Sequence, residues 1–432
     1  MHVTWLGHAA LFVNVANRSV LIDPWFAEPV FAGAWFRYPP TPYPDPSTMP
    51  KPDFVCLSHT HDDHAGLETL KQLRSDQRVL AVDFPSGAMR RRLAAAGLAN
   101  VDWFAPWQTK EVSPGLEVTF VPHDAGWEVA SPVVSGEGVT LYHGNDNTLS
   151  TDAYAEVARR LGPIDVAFLP YAGASSYPTR FDGDAETRRR RCREKKDEGL
   201  QRFLDGIEGL RPSEAAPFAS SWALLELAEV DTNFEDRLTA PEVLARAMQF
   251  AHERDAHLLH LEPGDEWSPE TGALNRGLVS QHPLTAAGVR RYAELERSRV
   301  VRVQQGLRGA VEVSSLDALV RDFFSTAWLT SHAPSSVDGV FGLESGETSW
   351  TLRCAGDRAD VEPGLAADVS EILRLPPGEL SKVLTGEWSW EDVWYGYRLH
   401  VTKRVDAGYA RAFWERLLGI EADLVRARSR GR

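Results

Sequence analysis

Cysteine is scarce: the 432 residues contain only Cys56, Cys192 and Cys354. They are far apart and odd in number, so reduced thiols are expected rather than a disulfide framework, which points to the cytoplasm. No Cys-x-x-Cys pair occurs, which argues against a cysteine-held zinc knuckle or iron–sulfur cluster. No stretch approaches the ~20 apolar residues of a membrane span. The opening Met1-His2-Val3-Thr4-Trp5-Leu6-Gly7-His8 lacks the basic start and apolar stretch of a signal peptide. Positive charge is also short, with 46 Lys and Arg against 61 Asp and Glu and a net charge of −15. That argues against DNA or RNA as a partner, because phosphate binding needs a basic surface.

The length allows two or three domains at about 100–200 residues each. A core of this size closes without disulfide or metal staples, so a metal cluster here would serve chemistry rather than folding. Residues 3–23 read as a hairpin of Ala9–Val15 and Ser19–Ile22, ending at Asp23-Pro24. Residues 36–52 are rich in Pro and Tyr and read as a loop. Strands are expected at Asp53–Leu57, Val79–Val82, Val101–Phe104, Glu117–Val121, Gly138–Tyr142, Val166–Leu169, Ala215–Phe218 and His257–Leu261. Helices are expected at Leu67–Arg74, Ala88–Ala96, Thr151–Leu161, Asp184–Leu210 and Pro241–Arg254. The Asp184–Leu210 helix carries Leu200, Phe203, Leu204 and Ile207 on one face, and it also contains the run Arg188 to Arg191. Those arginines fit a salt-bridged solvent face or a site for an anionic group.

Strands first, then alternating strands and helices, suggest a layered α/β or α+β body. Composition shifts after about residue 285. Thr285–Leu307 reads as a helical linker (286–309), and a smaller α+β unit is expected over 310–425. Within it, helices are expected at Leu316–Trp328, Leu365–Leu373, Leu380–Thr385 and Ala407–Leu418, with strands near Gly339–Leu343 and Ser349–Leu352. The aromatics Trp388, Trp390, Trp394, Tyr395 and Tyr397 fit either packing or a ligand cage. The basic tail 426–432, with Arg426, Arg428, Arg430 and Arg432, reads as disordered.

Chemistry concentrates in Ser58-His59-Thr60-His61-Asp62-Asp63-His64. Residues i and i+2 on an extended segment point the same way, so His59 and His61 can hold one ion. Asp63 and His64 fall where the chain turns into a helix and can face a second. Imidazole and carboxylate together suit zinc, iron or manganese.

His-x-His-x-Asp-His after an apolar strand resembles the signature of the metallo-β-lactamase superfamily. Thr4-Trp5-Leu6-Gly7-His8-Ala9 and Leu21-Ile22-Asp23-Pro24 resemble the first motifs of its phosphodiesterase- and lactonase-like branches. The resemblance implies an αββα sandwich of the α+β class. It implies His123 as a further ligand and Asp146 as a bridge between one or two divalent ions, zinc foremost. Asp146 could instead cap the helix near Thr151. Asp23 and His8 would support the ligands from behind. The family's last histidine, due after the strand near Ala215, is missing: the chain there reads Ala216-Pro217-Phe218-Ala219-Ser220-Ser221-Trp222. His143, His260 or a water are the available substitutes, and both histidines also have a structural or surface reading.

Leu169-Pro170-Tyr171-Ala172-Gly173-Ala174-Ser175-Ser176-Tyr177-Pro178-Thr179-Arg180-Phe181, the long charged helix and Pro217-Phe218-Ala219 resemble the CMP-N-acetylneuraminate hydroxylase branch over roughly residues 1–270. That likeness implies a substrate loop with Ser175, Tyr177 and, for an anionic group, Arg180. Hydroxylases of that branch carry a Rieske domain, whose paired Cys and His motifs do not occur here. The Leu380–Trp390 region, Tyr397-Arg398-Leu399 and Tyr409–Leu418 give residues 310–425 a loose resemblance to a sterol-carrier domain, which implies a lipid-like ligand; a role as lid or dimer interface is the alternative. Three functions follow. One is a hydrolase acting on a small ester, lactone, amide or phosphodiester, with Asp63 or Asp146 orienting the water. Another is a non-haem iron oxygenase served by a separate redox partner. The last is a non-catalytic ligand-binding protein, with homo-oligomers open in each case.

Overall fold

The computed structural model describes residues 1–277, 282–307, 313–331, 336–404 and 409–430. The chain divides into two compact units: Met1–Val30, Phe36–Gly173 and Lys195–Glu294 form the first, and Phe31–Trp35, Ala174–Glu194 and Leu295–Arg432 form the second. The division is not linear, because two short early segments go with the later residues. The expected start of the smaller domain at 310 lies outside the described residues, as do Ala407 and Arg432.

The first unit is built on two sheets. One has eight strands in the order 272–274, 266–268, 2–7, 10–15, 18–22, 54–57, 78–82 and 101–104. The other has seven, in the order 257–258, 214–218, 166–170, 139–143, 130–136, 116–122 and 109–113. Side chains alternate across each strand with period two. Val13, Ile22, Cys56 and Leu80 of the first sheet meet Val118, Phe120, Leu141 and Phe168 of the second in one shared core. Their neighbours Phe12, Leu21, Val55 and Val79 face the other way, onto Leu70, Met89 and Leu93. On the far side of the second sheet, Ala167 and Leu169 meet Tyr154, Val157, Phe203, Ile207, Val243 and Ala247 from three helices. The result is the helix–sheet–sheet–helix sandwich of the metallo-β-lactamase fold. Leu200 and Leu204 pack onto the same helical layer, as the apolar face of the long helix predicts.

The opening of the chain is a three-stranded antiparallel meander of His2–Gly7, Ala10–Val15 and Arg18–Ile22. Its second reversal has Ala16 and Asn17 at φ 50 and 57, the twist that a tight two-residue hairpin requires. Arg18–Ile22, Phe54–Leu57, Arg78–Val82 and Val101–Phe104 then pair in parallel. In the second sheet the parallel run is Val139–His143, Val166–Pro170, Glu214–Phe218 and His257–Leu258. Open parallel sheets present loops at the carboxyl ends of their strands, where sites form.

The second unit has a six-stranded sheet in the order 181–182, 400–404, 371–374, 339–345, 348–355 and 358–363. Two expectations fail here. Leu365–Leu373 is not a helix; Glu371–Arg374 is a strand held between Gly339–Ser345 and His400–Arg404. The 426–432 tail is not disordered where it is described: a helix spans Ala422–Arg430, with Arg426 donating to Gly386 O (2.7 Å) and Arg428 to Thr326 O (2.7 Å). The aromatics serve packing, since Trp390, Trp394 and Tyr397 are buried and Trp388 and Tyr395 lie against the same core. Among the described residues no helix is long and apolar enough to cross a membrane.

Phe168 sits in the sandwich core against Phe218, ring centroids 5.1 Å apart. Phe168→Ala should cost about 3–5 kcal/mol, read from the urea-unfolding midpoint. A loss under about 1 kcal/mol would mean that the two sheets do not share that core.

Candidate metal centre

Each side chain of the histidine cluster is aimed by its neighbours. The strand Phe54–Leu57 ends at Ser58, and the chain turns into a short helix, Asp62–Ala65, with His61 at its N-cap. Asp23 closes the adjacent strand and is fully buried. Its carboxylate accepts from Ser58 N (2.9 Å), Ser58 Oγ (2.6 Å) and His64 Nδ1 (2.9 Å). A carboxylate only accepts, so His64 Nδ1 carries the proton there. Ser58 spends its own proton on Asp23, so the 2.8 Å contact between Ser58 Oγ and His59 Nδ1 is donated by the imidazole. A neutral ring bonded through Nδ1–H keeps its lone pair on Nε2. His59 and His64 are therefore set to offer Nε2 to an ion, the usual support for metal-binding histidines.

Those nitrogens converge. His59 Nε2 and His61 Nδ1 are 2.9 Å apart and lie 3.8 and 3.7 Å from Asp146 Oδ2. His64 Nε2 lies 3.3 Å from the same Asp146 oxygen and 3.5 Å from Asp63 Oδ2, and His8 Nε2 is 2.9 Å from Asp63 Oδ2. Two groups result, His59–His61–Asp146 and His8–His64–Asp146, each with its ligand atoms within 4.8 Å of one another. Donors bound about 2.0–2.1 Å from one tetrahedral ion stand about 3.3 Å apart, so these spacings fit a divalent ion. Asp63 Oδ1 and His64 Nε2 are buried and lack a well-formed hydrogen bond, a cost that a bound cation removes.

Asp146 sits in a loop that sequence reasoning did not see as rigid. Asn145 donates to Ala130 O (2.9 Å) and accepts from Asn147 N (2.9 Å), and Asn147 donates to Val121 O (3.1 Å). Ser150, not Asp146, caps the Thr151–Leu161 helix. Ser58 was likewise missed as the link between Asp23 and His59; its place just before the motif was the available signal.

His123 is not brought into either group. Its Nδ1 accepts from Ala125 N (2.9 Å) and faces Asp124 (3.5 Å), so its side chain is held within its own loop. Of the substitutes for the missing histidine, His143 is buried and bonded to Ala9 O (2.8 Å), and His260 is exposed. Ser175, Tyr177 and Arg180 fall in the second unit. There Ser175 Oγ donates to Tyr177 O (2.6 Å), Tyr177 packs on Phe181 and Tyr409, and Arg180 lies over the Tyr397 ring. Arg191 pairs with Glu194 (2.8 Å), while Arg189 and Arg190 are exposed.

Charge follows from this crowding. Burial, then the neighbouring His64 and His61, holds His59 well below the usual imidazole value. Burial opposes charge on His64, but the Asp63 and Asp146 carboxylates outweigh it and lift His64 well above the usual value. Burial likewise opposes ionisation of Asp146, and the cationic His64 leads the effects that hold its carboxyl well below the usual range.

Two outcomes follow. The Asp63 and Asp146 carboxylates favour the protonated form of His64, and an ion bound at its Nε2 must displace that proton. Metal affinity should therefore rise with pH, by up to about tenfold per unit for one proton released. Calorimetry of zinc binding in buffers of different ionisation enthalpy counts that proton. Asp23→Asn should weaken metal binding about 10–100-fold, measured by competition with a chromophoric chelator.

Residues 18–183 match the model of the beta-lactamase superfamily domain. A putative Rieske 2Fe-2S iron-sulfur protein of Mycobacterium tuberculosis is 26% identical over 302 residues, spanning 67% of this chain and 57% of that one. The cytidine monophosphate-N-acetylneuraminic acid hydroxylase of Mus musculus is 26% identical over 233 residues, spanning 51% of this chain and 39% of that one. A metal-dependent hydrolase of Pyrococcus furiosus is 27% identical over 181 residues, spanning 40% and 72%. The chain thus spans about half the length of the mycobacterial relatives, 57% of the one and 46% of another from Mycolicibacterium smegmatis.

Proposed function

The chain carries a metallo-β-lactamase superfamily domain, and we propose that its first unit is a metal-dependent hydrolase of a small ester, lactone, amide or phosphodiester. The observation that carries this reading is the convergence of His59 Nε2, His61 Nδ1 and Asp146 Oδ2 at a rim where the Asp146 side chain is 36% exposed. An ion held there would lower the pKa of a bound water towards ~7 and polarise the scissile carbonyl or phosphoryl oxygen. The chain's own residues divide the remaining work. Asp146 is the accessible carboxylate and orients the attacking water as its proton acceptor. Asp63, with its side chain only 2% exposed and bonded to His8, is closed to substrate and orients its neighbours instead. His61 stands beside Asp146 and lines the approach. His123 would join the donors only by giving up the Ala125 amide.

A second reading uses the same donors for iron and oxygen. It draws support from the relatives named Rieske protein and N-acetylneuraminic acid hydroxylase, and it requires an electron-donating partner.

The test is anaerobic purification with elemental analysis, then activity on a panel of esters, lactones, amides and phosphodiesters with oxygen uptake followed in parallel. Hydrolysis without oxygen uptake supports the first reading; uptake with stoichiometric iron supports the second. His59→Ala and His61→Ala should each strip metal from the rim and abolish turnover. Asp146→Asn removes a donor of the rim group as well as the proton acceptor, so it should weaken metal binding and, in metal-loaded protein, lower kcat by about 10²–10⁴-fold. Unchanged function in His61→Ala would leave a ligand-binding protein with a vestigial site.

A further inference from the structure

The donor set is larger than one ion needs. After the rim group of His59, His61 and Asp146 is counted, His8 Nε2, Asp63 Oδ2 and His64 Nε2 remain, and they share Asp146 Oδ2 with it. We propose that His8 is a direct ligand of a second divalent cation, in place of the histidine that is missing after the strand Glu214–Phe218. The proposal rests on the metal-centre reading above and extends it to a second, buried position.

His8 reaches that position through a specific piece of backbone. Between His2–Gly7 and Ala10–Val15 the register shifts, Gly7 has φ 115 and His8 has φ 49. A left-handed conformation is uncommon outside glycine, and here the Trp5 indole holds it by donating to His8 O (2.9 Å). The imidazole is thereby turned inward, 1% exposed, edge-on to Trp25 and to His64 with ring centroids 5.3 and 5.5 Å away.

The position also explains how the missing ligand is replaced. Phe218, at the end of the strand after which the absent histidine was due, packs on Trp5, with ring centroids 6.1 Å apart. Trp5 lies in the strand that leads into the His8 turn and is bonded to His8 O, so the strand end that lacks the ligand packs on the residue that holds the turn supplying one. Beyond Phe218 the side chains are Ala219 and Ser220, both buried, and neither is a metal donor of the required kind.

The competing role for His8 is that of a hydrogen-bond partner to Asp63 alone. That role needs only the 2.9 Å contact with Asp63. It does not account for His8, His64 and Asp146 holding their ligand atoms within 4.8 Å of one another, nor for the buried His64 Nε2 that makes no well-formed hydrogen bond.

The experiment titrates metal-stripped full-length protein with zinc ions, reading stoichiometry by calorimetry and by elemental analysis after gel filtration. Wild type should bind two ions per chain, and His8→Ala one. His8→Asn keeps a donor for Asp63 but is a poor ligand, so it should also bind one ion while its thermal unfolding stays near wild type. A supporting role would cost only about 10–100-fold in affinity and leave two ions bound at excess zinc. Two ions in His8→Asn, or a single ion in wild type, overturns the proposal and leaves the rim site standing. No zinc bound by wild type overturns the metal-centre reading itself.

Discussion

A buried carboxylate at the end of one strand sets the position of the ligand loop at the end of the next. Asp23 follows Arg18–Ile22, and its amide donates to Cys56 O (3.0 Å) on the neighbouring parallel strand. Its two oxygens then take Ser58 N, Ser58 Oγ and His64 Nδ1. These bonds fix where the loop starts, which nitrogen of His59 faces inward and how His64 is rotated. Removing the acceptor would strand buried donors at about 1–3 kcal/mol each. That cost is why a charged residue with no solvent exposure is tolerated at this point in the sandwich. Loop, imidazole tautomers and donor spacing are thus consequences of one side chain.

What could be read in the amino-acid order follows from how local each feature is. The two-layer sandwich was legible because its central strands are short, unbroken apolar runs. Val79, Leu80, Ala81 and Val82 form an unbroken apolar run, buried throughout, the signature of a parallel strand covered on both faces, and it holds without knowledge of the partner strand. Thr109–Ser113 and Ala130–Gly136 were missed because one carries Lys110 and Glu111 and the other Pro132, which mask the pattern. The helix expected at Leu365–Leu373 failed for a tertiary reason. Glu371 looks like a helix-surface residue, yet in the sheet it is fully buried and accepts from Lys403 Nζ (2.7 Å) and Trp414 Nε1 (3.0 Å). Partners 32 and 43 residues away decide its conformation, and no local propensity reports them.

The site divides along the same line. His59, His61, Asp63 and His64 lie within six residues, so their spacing alone announced them. Asp146 and His8 come from loops 82 residues after and 56 residues before His64, brought in by sheet topology. The likeness of motifs located Asp146 in the structure's donor group, but it gave His8 only a supporting part. It also counted His123 among the ligands, whereas that ring is turned to the Ala125 amide. A motif specifies residue types at strand ends; which ring nitrogen faces which carboxylate depends on hydrogen bonds such as Trp5 to His8 O, which no spacing encodes.

The two donor groups differ in a way that bears on chemistry. His61 and Asp146 are the accessible members, with side-chain exposures of 22% and 36%, while His8, Asp63 and His64 are essentially closed to water. A substrate can therefore meet only the rim, and any cation in the buried group would act through Asp146 and through the field it imposes. In a medium of low dielectric that field is far less screened than at the surface. A buried cation would thus hold the Asp146 carboxylate ionised and fixed at the rim, the state required of a group that positions water. The missing histidine need not, on this account, cost the centre its second charge: a turn at the start of the chain can supply it, provided Trp5 keeps His8 in its left-handed conformation.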